Sequence, residues 1–101
     1  DLTLMPTLHI VRQSAFNTND FAQCLQVLRN GDVIVFIDDG CYNLHHKLIN
    51  TIDSNANIQL NVMEKHAQAR AIIINKSLYT AINMNTLVEL TMTTSRVITW
   101  Q

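Results

Sequence analysis

Apolar and polar residues alternate along this chain in blocks that change period. Thr7–Val11 is a short apolar, β-branched run and reads as a buried strand. Arg12–Asn17 is polar and reads as a loop. Phe21, Cys24, Leu25 and Leu28 then recur at i, i+3, i+4 and i+7, which is one face of a helix. Thr18 or Asn19 can cap that helix, and Asp20 suits its N-terminal dipole. Arg29 is expected in its last turn, with Gly31 as its stop. Val33–Ile37 is continuously apolar, the mark of a central strand buried on both faces. After the turn Asp38-Asp39-Gly40, residues Cys41, Leu44, His45, Leu48, Ile49 and Ile52 form a second helical stripe. Ile58–Val62 reads as a third strand and Glu64–Ala71 as a short helix. Ile72–Ser77 fits either a helix extension or a loop strand. Leu78–Ile82 reads as a fourth strand. Asn83 or Asn85 can cap a helix carrying Met84, Leu87, Val88, Leu90 and Met92, and Arg96–Trp100 closes as a fifth strand.

Strands alternating with short helices imply parallel pairing with helices on both faces of the sheet. The expected fold is an α/β domain of the doubly wound kind. In such folds the chemistry lies in the loops after the strands.

Composition narrows the function. The chain has 101 residues, which implies one domain, and 48% of them are apolar, which argues against disorder. Its net charge is −1 and its Lys and Arg are scattered, so direct nucleic-acid binding has no basic stripe to rest on. No apolar run approaches the ~20 residues of a membrane span, and no signal peptide is visible. Two cysteines 17 positions apart form neither a CxxC pair nor a disulfide framework, so free thiols in the cytoplasm are expected. Met5-Pro6 reads as a native start, which makes Asp1–Leu4 an expected remnant of expression. Two glycines in the whole chain exclude GxGxxG and P-loop nucleotide sites. No cofactor is implied.

The candidate chemistry lies in the thiols. Cys24 falls on the apolar stripe of the first helix, where a free cysteine behaves as a small hydrophobe. Cys41 follows a strand end and is expected near a helix N-terminus, where unpaired N–H groups favour a thiolate. Asp38 and Asp39 oppose that effect, and His45 stands at i+4. Adjacent histidines point to different helix faces, so His45 and His46 with Cys41 and Asp39 make a poor metal site. Ser14 has no base partner in the sequence. His9, inside a strand, and His66, on a polar helix, read as structural or solvated.

Several short motifs, taken in order, resemble the DsrH/TusB family. Leu8-His9-Ile10-Val11, then Ser14 and a helix with Cys24-Leu25, are similar to the start of such proteins. The strand ending in Asp39-Gly40 with Tyr42 beyond is similar too. Leu90-Thr91, Val97 and Thr99-Trp100 resemble the family's ending. The likeness spans 5–101 as a single domain and is thin between Asn43 and Ser77.

The resemblance implies a DsrE-like α/β/α sandwich, three-layered, with a mainly parallel five-stranded sheet. It implies an accessory subunit of a cytoplasmic persulfide-relay complex. The partners would be DsrE/TusD-like and DsrF/TusC-like subunits in a heterohexamer, and carriers of the TusA and TusE/DsrC type. The expected end product is 2-thiouridine at the tRNA wobble position. The alternatives are a thiol carrier for sulfur oxidation using Cys24 or Cys41, or a sulfur-independent interaction module. In isolation a homo-oligomer, dimer or trimer, is an open alternative, because the hexamer contacts would be left unfilled. The large subunit's relay cysteine follows its third strand; here that stretch is Val62-Met63-Glu64-Lys65-His66, without cysteine. Ser14, Asp39 and Gly40 are the loop positions expected beside the relay site. Ala15, Ala71 and Cys41 depart from the family pattern.

Overall fold

The structure, a computed structural model, describes residues 6–101, so the expected remnant Asp1–Leu4 lies outside it. Five strands form one sheet: β1 (Thr7–Val11), β2 (Val33–Phe36), β3 (Gln59–Met63), β4 (Thr80–Ile82) and β5 (Arg96–Trp100). All pairings are parallel and the order is β4-β3-β2-β1-β5. Three α-helices follow strands: α1 (Asp20–Val27), α2 (Glu64–Ala69) and α3 (Met84–Thr93). The three-layer sandwich is therefore present, with a sheet that is wholly parallel.

Strand order dictates the layers. From β1 to β4 the chain steps in one direction, so crossovers of one hand lie on one face. The link from β4 to β5 steps back across the sheet, which puts α3 on the other face. Alternating side chains fill both sides. Ile34 and Phe36 of β2 meet Phe21, Cys24, Cys41, Ile49 and Ala67 on the first face. Val33 and Val35 meet Leu87 and Leu90 of α3 on the second. All four β2 residues are buried, as a central strand requires.

One expected helix is absent. Residues 41–52 do not form a continuous α-helix; two 3-10 segments, Asp38–His45 and Lys47–Thr51, replace it, and a third, Ser54–Ala56, follows. The apolar spacing survives, but side chains compete for the backbone. His46 Nδ1 accepts from Leu48 N at 3.0 Å, and Asp53 Oδ1 accepts from Asn55 N at 2.9 Å. Asn, Asp and Ser favour such local bonds over helix propagation.

Smaller differences have local causes. Helix α1 ends at Val27, so Arg29 falls beyond it and Gly31, at φ +86, serves a turn instead of the helix stop. Helix α2 stops at Ala69 because Ala71 adopts φ +56. Strand β4 keeps three residues, since Asn75 Oδ1 and O turn the chain through Ser77–Tyr79. Residues 72–77 are neither helix nor strand. Asn83, not Asn85, caps α3, accepting from Thr86 N at 2.9 Å. No helix of the described residues is long and apolar enough to cross a membrane.

Candidate functional site

The sheet reverses its strand order between β2-β1 and β5, so the C-terminal edge of β1 is the switch point. Arg12 emerges there. Its backbone N–H donates to the Trp100 carbonyl at 3.1 Å. Its Nη1 reaches Gln101 Oε1 at 2.9 Å and its Nε reaches Asp38 Oδ2 at 3.1 Å. The Asp38 N–H donates to His66 Nδ1 at 2.9 Å, which leaves the ring proton on Nε2. Arg70 donates to Asp39 Oδ1 at 2.9 Å and to the His66 carbonyl at 3.2 Å. A polar chain thus runs over the ends of β5, β1, β2 and β3. Two arginines face two aspartates, so the charge cancels. Exposed pairs of this kind contribute up to about 1 kcal/mol each; their effect is positional.

Asp38 sits at φ +49, in the left-handed region, which Asp tolerates better than most residues. The turn it makes brings Gly40 onto the end of β1. Gly40 N donates to the Arg12 carbonyl at 3.0 Å and to the Ile37 carbonyl at 2.9 Å. Ser14 is buried and its Oγ accepts from Phe16 N at 3.1 Å, which makes it a turn residue. Asn43, fully buried, holds the same loop: Oδ1 accepts from Ala15 N at 2.7 Å and Nδ2 donates to the Gln13 carbonyl at 3.0 Å. So Ser14, Asp39 and Gly40 do share one edge.

The thiols do not reach that edge's surface. Cys41 was expected near a helix N-terminus beside His45. It instead lies inside a 3-10 segment with no exposure, its Sγ 3.7 Å from the Phe36 carbonyl. Burial pushes its pKa up to about 11; Arg70 opposes the rise, and Asp38 and Asp39 add to it. Cys24 is equally buried among the first-face core, and burial followed by the charge of Asp32 pushes it up to about 12. At pH 8 a thiol at 11 is ~0.1% ionised, and ionisation governs thiol reactivity. Native protein is therefore expected to resist iodoacetamide at both positions, with both alkylating rapidly once denaturant unfolds it. Mass spectrometry of timed samples checks this.

Two further features stand out. A cleft of about 430 Å³ opens at the ends of β3 and β4, lined by Met63–His66 and Ala81–Asn85. No His, Cys, Asp or Glu cluster of three capable of holding a metal occurs among the described residues.

Sequence reasoning missed a buried network. His9 Nε2 lies 2.9 Å from Asp32 Oδ2, and Trp100 Nε1 donates to His9 Nδ1 at 3.1 Å. Since the indole can only donate, His9 Nδ1 carries no proton and Nε2 donates to Asp32. The available signal was a polar residue inside one apolar strand, His9, and another, Asp32, immediately before the next. Buried polar groups require partners.

These features define a small all-parallel α/β domain with a charge-compensated C-terminal edge and inaccessible thiols. The chain belongs to the DsrH family: the family model described as DsrH like protein matches residues 13–97. Its fold is similar to that of the YchN protein from E. coli, with a TM-score of 0.72 over 94% of this chain and 99% of that one, at 13% identity. No curated protein sequence is similar enough to count as a match.

Proposed function

We propose that this chain is an accessory, non-carrying subunit of a sulfur-relay complex. One observation carries the reading: both thiols are fully buried, while the end of β3 and the start of α2 line a cleft and hold no cysteine. Sulfur transfer needs an accessible thiolate attacking a persulfide. A chain of this family without one serves by shape and surface. Its partners are the two related subunits of DsrE/TusD and DsrF/TusC type, acting with TusA- and TusE/DsrC-type carriers in the cytoplasm, and the sulfur's destination is 2-thiouridine in tRNA. Membership of the DsrH family supports the relay role.

Two measurements test it. The tagged chain, co-expressed with both related subunits, is expected to retain them through affinity purification and gel filtration. Incubation with a persulfide donor and peptide mapping is expected to add no sulfur to Cys24 or Cys41. Failure to retain either subunit would overturn the relay role. A gain of one sulfur atom on either thiol would replace the accessory role with that of a carrier.

A further inference from the structure

The chain holds two glycines, and each follows a residue with a short carbonyl-bearing side chain: Asn30-Gly31 and Asp39-Gly40. In such a pair the glycine's backbone nitrogen can close a succinimide ring on the side-chain carbon Cγ. Glycine permits this best, because it has no side chain to block the approach and the widest choice of backbone angles. The fold separates the two pairs. Gly40 is buried, and its N–H is shared between the Arg12 and Ile37 carbonyls at 3.0 and 2.9 Å. Asp39 Oδ1 is held by Arg70 Nε at 2.9 Å. That pair is locked.

Asn30 and Gly31 are both exposed. They form the turn before β2, closed by Asp32 N donating to the Arg29 carbonyl at 3.0 Å, with Gly31 at φ +86. One bond restrains the nucleophile: Gly31 N donates to the Ala56 carbonyl at 2.9 Å. Ala56 ends the 3-10 segment Ser54–Ala56, which has no buried residue. Bonds between exposed loops open locally at a small part of the cost of global unfolding. Nothing lies within 4 Å of an added Cβ on Gly31, so the peptide has room to rotate and bring its nitrogen to Asn30 Cγ.

The reaction changes no oxidation state. Gly31 N bonds to Asn30 Cγ and gives up its proton, the Cγ–Nδ2 bond breaks, and ammonia leaves. Water then opens the ring. Cleavage of the new N–Cγ bond gives aspartate. Cleavage of the original peptide bond gives isoaspartate, whose main chain runs through Cγ and is longer by one methylene. That methylene falls between Arg29 and Asp32, where the spacing matters. Arg29 N donates to Asp32 Oδ2 at 3.1 Å, and the same carboxylate holds Thr7 N at 3.0 Å and His9 Nε2 at 2.9 Å. A longer turn no longer matches that closure. Both products also place a new carboxylate two residues from buried Asp32, where like charge is unfavourable.

We propose that Asn30-Gly31 is a deamidation site in the folded protein, and that its isoaspartyl product releases the Asp32 anchor joining β1 and β2. The inference does not rest on the relay reading. The modification needs only water, so it marks the age of the molecule. Its product belongs to the substrate class of enzymes that methylate isoaspartyl carboxylates with S-adenosylmethionine.

The whole chain is aged in mildly alkaline buffer, folded in one sample and unfolded by urea in another. Trypsin cuts after Arg29 and Lys47, so one peptide, 30–47, reports positions 30 and 39 together by mass and fragmentation. In the folded sample, ammonia loss and isoaspartate are expected at position 30 and not at 39; in urea both positions are expected to convert. Labelled methyl transfer by an isoaspartyl methyltransferase is expected to rise with the folded sample's age. The deamidated fraction, separated by anion exchange, is expected to unfold at lower urea and to show redder Trp100 emission than fresh protein. Asn30→Asp supplies the aspartyl product alone and is expected to lose less stability than that fraction. Gly31→Ala obstructs ring closure and is expected to slow the conversion. The proposal is overturned if position 30 stays unmodified in the folded protein while the unfolded chain converts. Equal conversion at 30 and 39 in the folded protein overturns it too, as does a deamidated fraction whose unfolding and emission match fresh protein. Retention of the related subunits is read separately, so either idea can fail alone.

Discussion

Replacing Gly40 by alanine is expected to cost about 3 kcal/mol or more of folding stability. For a domain of this length that lowers Tm by more than ~12 °C. The cause is space, since the backbone of Gly40 is not in the left-handed region. An added Cβ would lie 2.1 Å from the Val11 carbonyl oxygen and 2.8 Å from its carbon. Both are backbone atoms, so no rotamer change relieves the clash. The Val11 oxygen also accepts from Ile37 N at 3.0 Å, and Gly40 N is held by the Arg12 carbonyl. The loop after β2 must lift, which breaks these bonds and withdraws Asp38 from Arg12. Gly31 offers the contrast: its φ is +86, but nothing lies within 4 Å of an added Cβ. Gly31→Ala is expected to cost about 1 kcal/mol, the conformational penalty alone. Urea unfolding of both variants checks the order. Equal losses would refute the steric account.

That close contact explains why the site was only partly legible in the sequence. Strand periods fixed five strands and the candidate edge, because a parallel sheet writes long apolar runs and α/β loops follow them. Asp39 and Gly40 were placed there by order alone. Their partners were not, because Arg12 and Arg70 lie 26 and 31 residues away from the carboxylates they hold. The stripe from Cys41 to Ile52 gave the right buried face but the wrong helix. Periods of three and 3.6 differ little over one turn, and the local bonds of His46 and Asp53 decide between them. The same error put Cys41 at a helix terminus, where a thiolate would be stabilised. In the core of a tight 3-10 turn it behaves as a small hydrophobe. Helix α3 shows the converse limit. Its apolar positions were legible, but Met84, Val88 and Met92 face away from the domain, and a one-dimensional pattern does not say whether a second apolar side exists.

Asp32→Ala is expected to be the most damaging polar substitution, at about 3–5 kcal/mol. The side chain is 4% exposed and ties three elements together. Oδ1 accepts from Thr7 N at 3.0 Å; Oδ2 accepts from Arg29 N at 3.1 Å and from His9 Nε2 at 2.9 Å. Alanine leaves all three donors without a partner inside the fold. His9 cannot compensate by moving its proton to Nδ1, because Trp100 Nε1–H already points there at 3.1 Å. Asp32→Asn separates shape from charge. Its amide oxygen can replace Oδ2 for His9 and Arg29, while its NH₂ meets the Thr7 N–H, so one bond is lost and about 1–2 kcal/mol is expected. The chain's single tryptophan reports on the same network. In Asp32→Ala its emission is expected to shift to the red in native buffer as the indole loses its fixed acceptor and gains water; in Asp32→Asn it is expected to stay near that of the unaltered protein. An Asp32→Ala loss below about 1 kcal/mol, with unchanged emission, would show that β1, β2 and β5 are joined by their backbone ladders alone. The ordering expected here, alanine far below asparagine and asparagine slightly below the native residue, follows from a histidine whose two nitrogens are both committed.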